Sequence, residues 1–364
     1  MSSNNRIFYA CQAVAIANMA TPTGNYGTGN MIHGLQSVGI TTNFNLEQAF
    51  ELGQIAIYEN IEGLPDVEVT LEKVLDGYPL IYHLASTGVN TGTASGLVAR
   101  SKQRCDVRLG IFPEENNSVD EGSTVAEVEV YCSGMYISSV SYTIPVDGNI
   151  TESVTLVGNN KQWLTGAGRA LDNDTVLLFN NTNKPLALGG GSGGIQRRED
   201  VILSSSILPS EIQGVNGSGV GNALAGGIPT VHIQNVTIST DFGREDVLEL
   251  GRKAPYVRTA NFPIEVTCEI EAITVSGDFI GAVEEGRAAY VGTVNAGNNT
   301  AESQIFLQLR AGYSFDLGTS NRLTSVSYGG GDAGGGNVSC TYSYSTFNDL
   351  EVRGYYHGDI NPHA

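Results

Sequence analysis

The sequence predicts a mainly β protein made of two tandem β-sandwich or half-barrel modules. Three observations carry that prediction. Glycine is abundant at 46 residues while charged residues make up only 16% of the 364-residue chain, a composition of short strands and tight turns rather than of charge-laced helices. Apolar residues alternate with polar ones in several segments, the period-2 signature of half-buried strands. The segment 36–54 also recurs at 234–252, displaced by 198 residues, with nine of 19 positions identical.

The identical pairs include Val38/Val236, Ile40/Ile238, Thr42/Thr240, Phe44/Phe242, Glu51/Glu249, Leu52/Leu250 and Gly53/Gly251. Val38, Ile40 and Thr42, with their counterparts, place one face of a strand toward a core. A short helical turn is predicted next. Asn45 stands where an N-cap would, Glu47 and Glu51 lie near the positive end, and Gly53 suits a left-handed C-terminal cap; Asp241, Glu245 and Gly251 repeat the pattern. Pro65 and Pro263 then introduce alternating strands. After a one-residue slip, Glu68-Val69-Thr70 aligns with Glu265-Val266-Thr267.

Further strands are read at 126–131 and 137–142, and at 304–309 and 323–328. Ser139-Val140-Ser141-Tyr142 is echoed by Ser325-Val326-Ser327-Tyr328, so order is kept and whole modules are duplicated. Asp76-Gly77 and Asp147-Gly148 mark turns, and 329–336 reads as a flexible hairpin tip. The glycine-rich runs at 189–194 and 214–227 read as linker. The expected division is a first module at 1–190, a linker or insertion at 191–230 and a second module at 231–364.

Chemistry is sparse. Asp and Glu total 38 against 19 Lys and Arg, a formal charge of −19 that disfavours phosphate-neutralising nucleic-acid binding. Cys11, Cys105, Cys132, Cys268 and Cys340 are far apart and read as reduced buried thiols, with neither a zinc site nor a disulfide framework. His33, His83, His232, His357 and His363 show no metal-ligand spacing and no nucleophile partner. Glu114-Glu115 and Glu284-Glu285 read as solvated loop acids, and 217–221 lacks both the phosphate-loop ending and dinucleotide spacing. The sequons at Asn149, Asn235 and Asn337 read as accidental. The apolar run after Arg6 is too interrupted for a secretory signal, and no stretch reaches the length of a membrane span. The reading is a soluble protein, not an enzyme, with no catalytic, cofactor-binding or metal site.

The phrase from Val236 to Arg252, followed by Ala254-Pro255-Tyr256 and by Phe262 to Thr267, resembles tail tube and related virion proteins of tailed bacteriophages. The first copy resembles them through Glu51-Leu52-Gly53-Gln54 and Pro65 to Val69. The resemblance implies a β-sandwich-like module with one flanking helix, whose strands join neighbours' sheets into a ring-forming β-barrel. Two modules per chain imply trimeric, pseudo-hexameric rings (hexameric being the single-module alternative) stacked head to tail into a tube. DNA would pass through the lumen without specific binding, and sheath, baseplate and terminator proteins would be partners in a virion made in the host cytoplasm. Two other readings stand beside it: a tail hub or baseplate component, and a carbohydrate-binding adhesin using Tyr342, Tyr344, Tyr355 and Tyr356.

Overall fold

The computed structural model describes residues 7–18, 30–53, 55–86, 96–113, 125–166, 169, 171, 194–203, 206–209, 212, 231–274, 280–282, 288–290, 303–330 and 336–354. The paired glutamates, the 214–227 run, His357, His363, Tyr355 and Tyr356 lie outside them.

In the first half the strands are β1 (Gln12–Asn18), β2 (Asn30–Met31), β3 (Leu35–Asn43), β4 (Leu46–Phe50), β5 (Ile57–Glu62), β6 (Asp66–Val74), β7 (Cys105–Ile111), β8 (Val128–Pro145), β9 (Thr151–Gly158) and β10 (Asn160–Leu164). Two short helices, α1 (Ile81–Ser86) and α2 (Leu97–Arg100), follow β6. The second half holds β11 (Val231–Asp241), β12 (Arg244–Val247), β13 (Val257–Ala260), β14 (Glu265–Thr274), β15 (Ile280–Ala282), β16 (Ala288–Tyr290), β17 (Phe306–Gln308), β18 (Ser314–Asp316), β19 (Arg322–Gly329), β20 (Ser339–Phe347) and β21 (Glu351–Arg353). None of the described helices is long and apolar enough to cross a membrane. The mainly β prediction holds.

Each half builds the same four-stranded antiparallel sheet, β3-β6-β9-β8 in the first and β11-β14-β20-β19 in the second. The halves meet where β8 pairs antiparallel with β11, Pro145 opposite Asn235 through Ser139 opposite Asp241. A second layer packs on the same side of each half: β10, the first part of β8, β7, β1 and β2 in one, and β21, β18 and β17 in the other.

One continuous core lies between the layers and runs through both halves, from Val14 and Leu71 to Ile270 and Phe315. Tyr142 packs against Phe315, ring centroids 4.7 Å apart, so the seam between the halves is itself core. All five cysteines are buried, as the sequence predicts, and Cys105, Cys132, Cys268 and Cys340 lie in that core. Residues of the predicted linker take part as well. Gln196 bridges the halves, its N–H donating to Leu75 O at 2.7 Å while its side-chain oxygen accepts from Ala311 N at 3.2 Å, and Leu208 and Ile212 enter the core.

The helical turn predicted after Phe44 and Phe242 is not formed. Those residues make two-stranded arms, β4-β5 and β12-β13. Asn45 has φ +42°, and Gly243 at the matching position has φ +51°, a left-handed kink incompatible with the extended N-cap geometry that a helix start needs. Asn45 instead bonds Leu64 O at 3.0 Å and Asp66 at 2.7 Å, pinning the two ends of its arm together. Gly53 and Gly251 keep positive φ, but as turn residues of the arms rather than as helix caps.

The ladder also corrects the alignment slip. Ser37 faces Glu72 in the first half and Asn235 faces Glu271 in the second, which equates Asp66-Val67-Glu68 with Glu265-Val266-Thr267. The second copy carries one extra residue, Ile264, between its proline and the strand.

Candidate functional site

β-Strand alternation gives each half's sheet one face toward the core and one away from it. On the outward face β6 presents Asp66, Glu68, Thr70 and Glu72, and β14 presents Glu265, Thr267, Glu269 and Glu271. Around them the face is hydroxyl-rich: Thr151, Ser153 and Thr155 on β9, Ser139, Ser141 and Thr143 on β8, Thr237 and Ser239 on β11, and Thr341, Ser343 and Ser345 on β20.

With Asp241, the eight paired strands place seven carboxylates outward. The only Lys or Arg among the described residues of that face is Arg322, at the start of the edge strand β19. Asp66 and Glu265 are equivalent in the two halves, as are Glu72 and Glu271, so the acidic character is duplicated with the fold.

A shallow groove of about 610 Å³ lies over the seam, lined by Ser139, Ser141, Ser239, Asp241, Glu265 and Thr267 among others, with no His, Cys or Lys in its wall. Hydroxyls and carboxylates of this kind hydrate a surface and repel anions; they offer no acid–base or nucleophile pair held by a third group.

The basic side chains are directed elsewhere. Arg258 reaches from β13 to ion-pair with Asp246 and, at 3.4 Å, with Asp66, tying the second arm to the first half. Arg244 donates from Nε to Ile137 O at 2.7 Å with its guanidinium near the rings of Tyr136 and Phe242, and burial pushes it down to about 10. Arg108 is ion-paired inside the protein with Glu129.

The arms carry exposed apolar side chains, Phe50, Leu52, Ile55, Ile57 and Tyr58 on the first and Leu248, Leu250 and Tyr256 on the second.

A buried polar system sits under the first half. Glu152 accepts from the N–H groups of Ile81 (2.7 Å) and Tyr82 (3.1 Å) and from Tyr142 OH (3.1 Å), holding the start of α1. Burial raises its pKa above the usual carboxylate range. His83 donates from Nε2 to Val352 O at 2.9 Å, linking α1 to β21, and burial, reinforced by Arg100, pushes it down to about 3. It is a neutral structural histidine. His33 stacks on Tyr78 with centroids 4.0 Å apart, and His232 is exposed. Tyr342 and Tyr344, weighed above as sugar platforms, point into the core.

The sequence carried no direct sign of the acids' common face, because the face of each strand depends on register. The echo of 139–142 in 325–328 marked the seam strand and its counterpart in advance.

No family model matches the chain, and no curated protein matches it. Among solved structures it is similar to the cap that terminates the tube of the anti-feeding prophage, at 14% identity over 46% of this chain and 95% of that one, with a TM-score of 0.31. It is similar also to a chain of the sheath-tube complex of the PVC extracellular contractile injection system in its extended state, at 11% identity over 45% and 94% with a TM-score of 0.30. A chain of the anti-feeding prophage baseplate matches at 10% identity over 45% and 98%, again with a TM-score of 0.30.

Proposed function

We propose that the chain is a structural tail subunit of a bacteriophage-like particle, polymerising into stacked rings whose lumen conducts DNA. The observation that carries the reading is the outward sheet face, lined with hydroxyls and carboxylates at equivalent positions of both halves.

A channel wall for DNA must exclude the phosphate backbone without holding it. Every Lys or Arg on such a wall would release counterions and bind. Among the described residues this face bears seven acids, Arg322 is the only Lys or Arg on its strands, and Arg258 reaches one of the acids, Asp66, from β13. Closed into a ring, Glu72 with Glu271, and Glu68, Glu265 and Glu269 beside them, form tiers of negative charge that repel phosphate, while Ser and Thr keep the wall wet. The duplicated module supplies two ring seats per chain, so three chains give a pseudo-sixfold ring. The exposed apolar arms suit contacts between stacked rings.

Electron microscopy of the purified protein at high concentration tests the assembly. Hollow stacked rings with threefold or sixfold symmetry are the expected result; a monomer that never assembles, even when seeded with tail components, sinks the tube. The wall itself is tested by Glu68→Gln, Glu72→Gln, Glu269→Gln and Glu271→Gln combined. Slower DNA ejection is expected, and an unchanged rate removes the lumen assignment.

A further inference from the structure

Each side of the seam between the halves occurs twice in the chain, once occupied and once open. β11 supplies one side, and β3 is its counterpart; β8 supplies the other, and β19 is its counterpart. Among the described residues β3 is paired only by β6 and β19 only by β20, so each leaves one edge free.

Side chains that the seam buries have counterparts of the same type that the open edges expose. Phe242 is 0% exposed and Phe44 64%; Tyr142 is 1% exposed and Tyr328 55%. Val236, Ile238 and Val140 are buried, whereas Val38, Ile40 and Val326 are half-buried. Residue type cannot account for the difference, because the members of each pair are identical. What differs is the presence of a neighbouring strand.

We infer that β19 of one copy pairs antiparallel with β3 of a second copy in the register of the internal seam. Ser139 opposite Asp241, Val140 opposite Thr240, Ser141 opposite Ser239 and Tyr142 opposite Ile238 translate into Ser325, Val326, Ser327 and Tyr328 opposite Asn43, Thr42, Thr41 and Ile40 of the second copy. Pairing satisfies two rows of backbone groups and covers Phe44 and Tyr328. Each chain has one edge of each kind, so the contact is heterologous and propagates in one direction until a ring closes. The inference rests on the tube reading for the form of the product, and on the seam alone for the pairing.

The test is a Thr41→Cys/Ser327→Cys double variant, oxidised under assembly conditions and run on a non-reducing gel. The two sites end opposite edges of an eight-stranded sheet, about 34 Å apart along it at the usual strand spacing, so a bond between them joins different chains. A covalent ladder is expected, and none from Thr41→Cys/Ser325→Cys, which is two ladder positions out of register. Equal cross-linking of both pairs overturns the register, and an intramolecular bond overturns the partner. Tubes that form without cross-linking sink the pairing and leave the tube reading intact; cross-linked rings that never stack do the reverse.

Phe44→Asp and Tyr328→Asp give an independent measure. Both side chains are exposed, so the monomer's melting temperature stays unchanged while the concentration needed for assembly rises by about tenfold or more. Assembly at the wild-type concentration overturns the inference.

Discussion

The same place in the two halves is filled in opposite ways. In the first half Lys73 faces Glu152 across the ladder; in the second, the equivalent pair is Ala272 and Cys340. All four are buried. A buried carboxylate costs free energy unless its oxygens are fully engaged, and Glu152 is engaged because the first half has a helix whose free N–H groups need an acceptor. Lys73 is held by Asp76 at 3.2 Å and by Pro79 O at 3.0 Å. Among the described residues no α-helix follows β14, so that half fills the position with small apolar side chains. The duplicated scaffold thus tolerates a charged or an apolar centre, provided local hydrogen bonding matches.

Mutations can break or sharpen this contrast. The largest effect is expected from Phe242→Ala, about 4 kcal/mol of lost stability in urea unfolding, against no more than about 0.5 kcal/mol for Phe44→Ala in the unassembled chain. Similar losses at both sites would mean that the open edge is already covered. Glu152→Ala should cost about 3 kcal/mol, because three donors lose their acceptor inside the protein, whereas Cys340→Ala should cost about 1 kcal/mol. Equal costs would remove the helix-holding role assigned to Glu152.

The protonation of His83 gives a third measure. Its folded pKa, about 3, lies below the unfolded 6.5, so the unfolded chain binds the proton first as pH falls. Its contribution is complete above about pH 6.5 and is lost progressively toward pH 3, about 2 kcal/mol being gone by pH 5. Glu152, shifted upward, works in the opposite sense, adding stability as pH falls, so the His83→Gln comparison isolates the histidine's share. Thermal melts between pH 7 and pH 5 should show the loss, and His83→Gln should flatten it. The smallest contrast between the halves is expected at the arm turns, where Gly53→Ala and Gly251→Ala should each cost about 1 kcal/mol for their positive φ. Unequal costs there would show that one arm is held by more than its own turn.

Much of the fold was legible because the repeat is strong where the ladder is regular. Val38, Ile40 and Thr42 announce a strand by period alone, and Asp147-Gly148 turns the β8–β9 hairpin while Asp76-Gly77 turns the chain from β6 into α1. The arms were not legible. Glu47, Glu51 and Gly53 satisfy helix spacing, and only the left-handed kink at Asn45 and Gly243 decides against it. The alignment slip had the same origin, since Glu and Val recur at period two and slide past one another until the ladder fixes them. The candidate wall stayed hidden for a related reason: acids 199 residues apart in sequence lie on one face only after β8 has paired with β11.

That pairing has a consequence for how the protein responds to dilution. The strands of the internal seam share one polypeptide, so they meet at an effective concentration set by the chain and independent of how much protein is present. An open edge meets its partner only at bulk concentration. In any assembly that uses both, alternate seams are insensitive to dilution, and disassembly can release whole chains but never half of one.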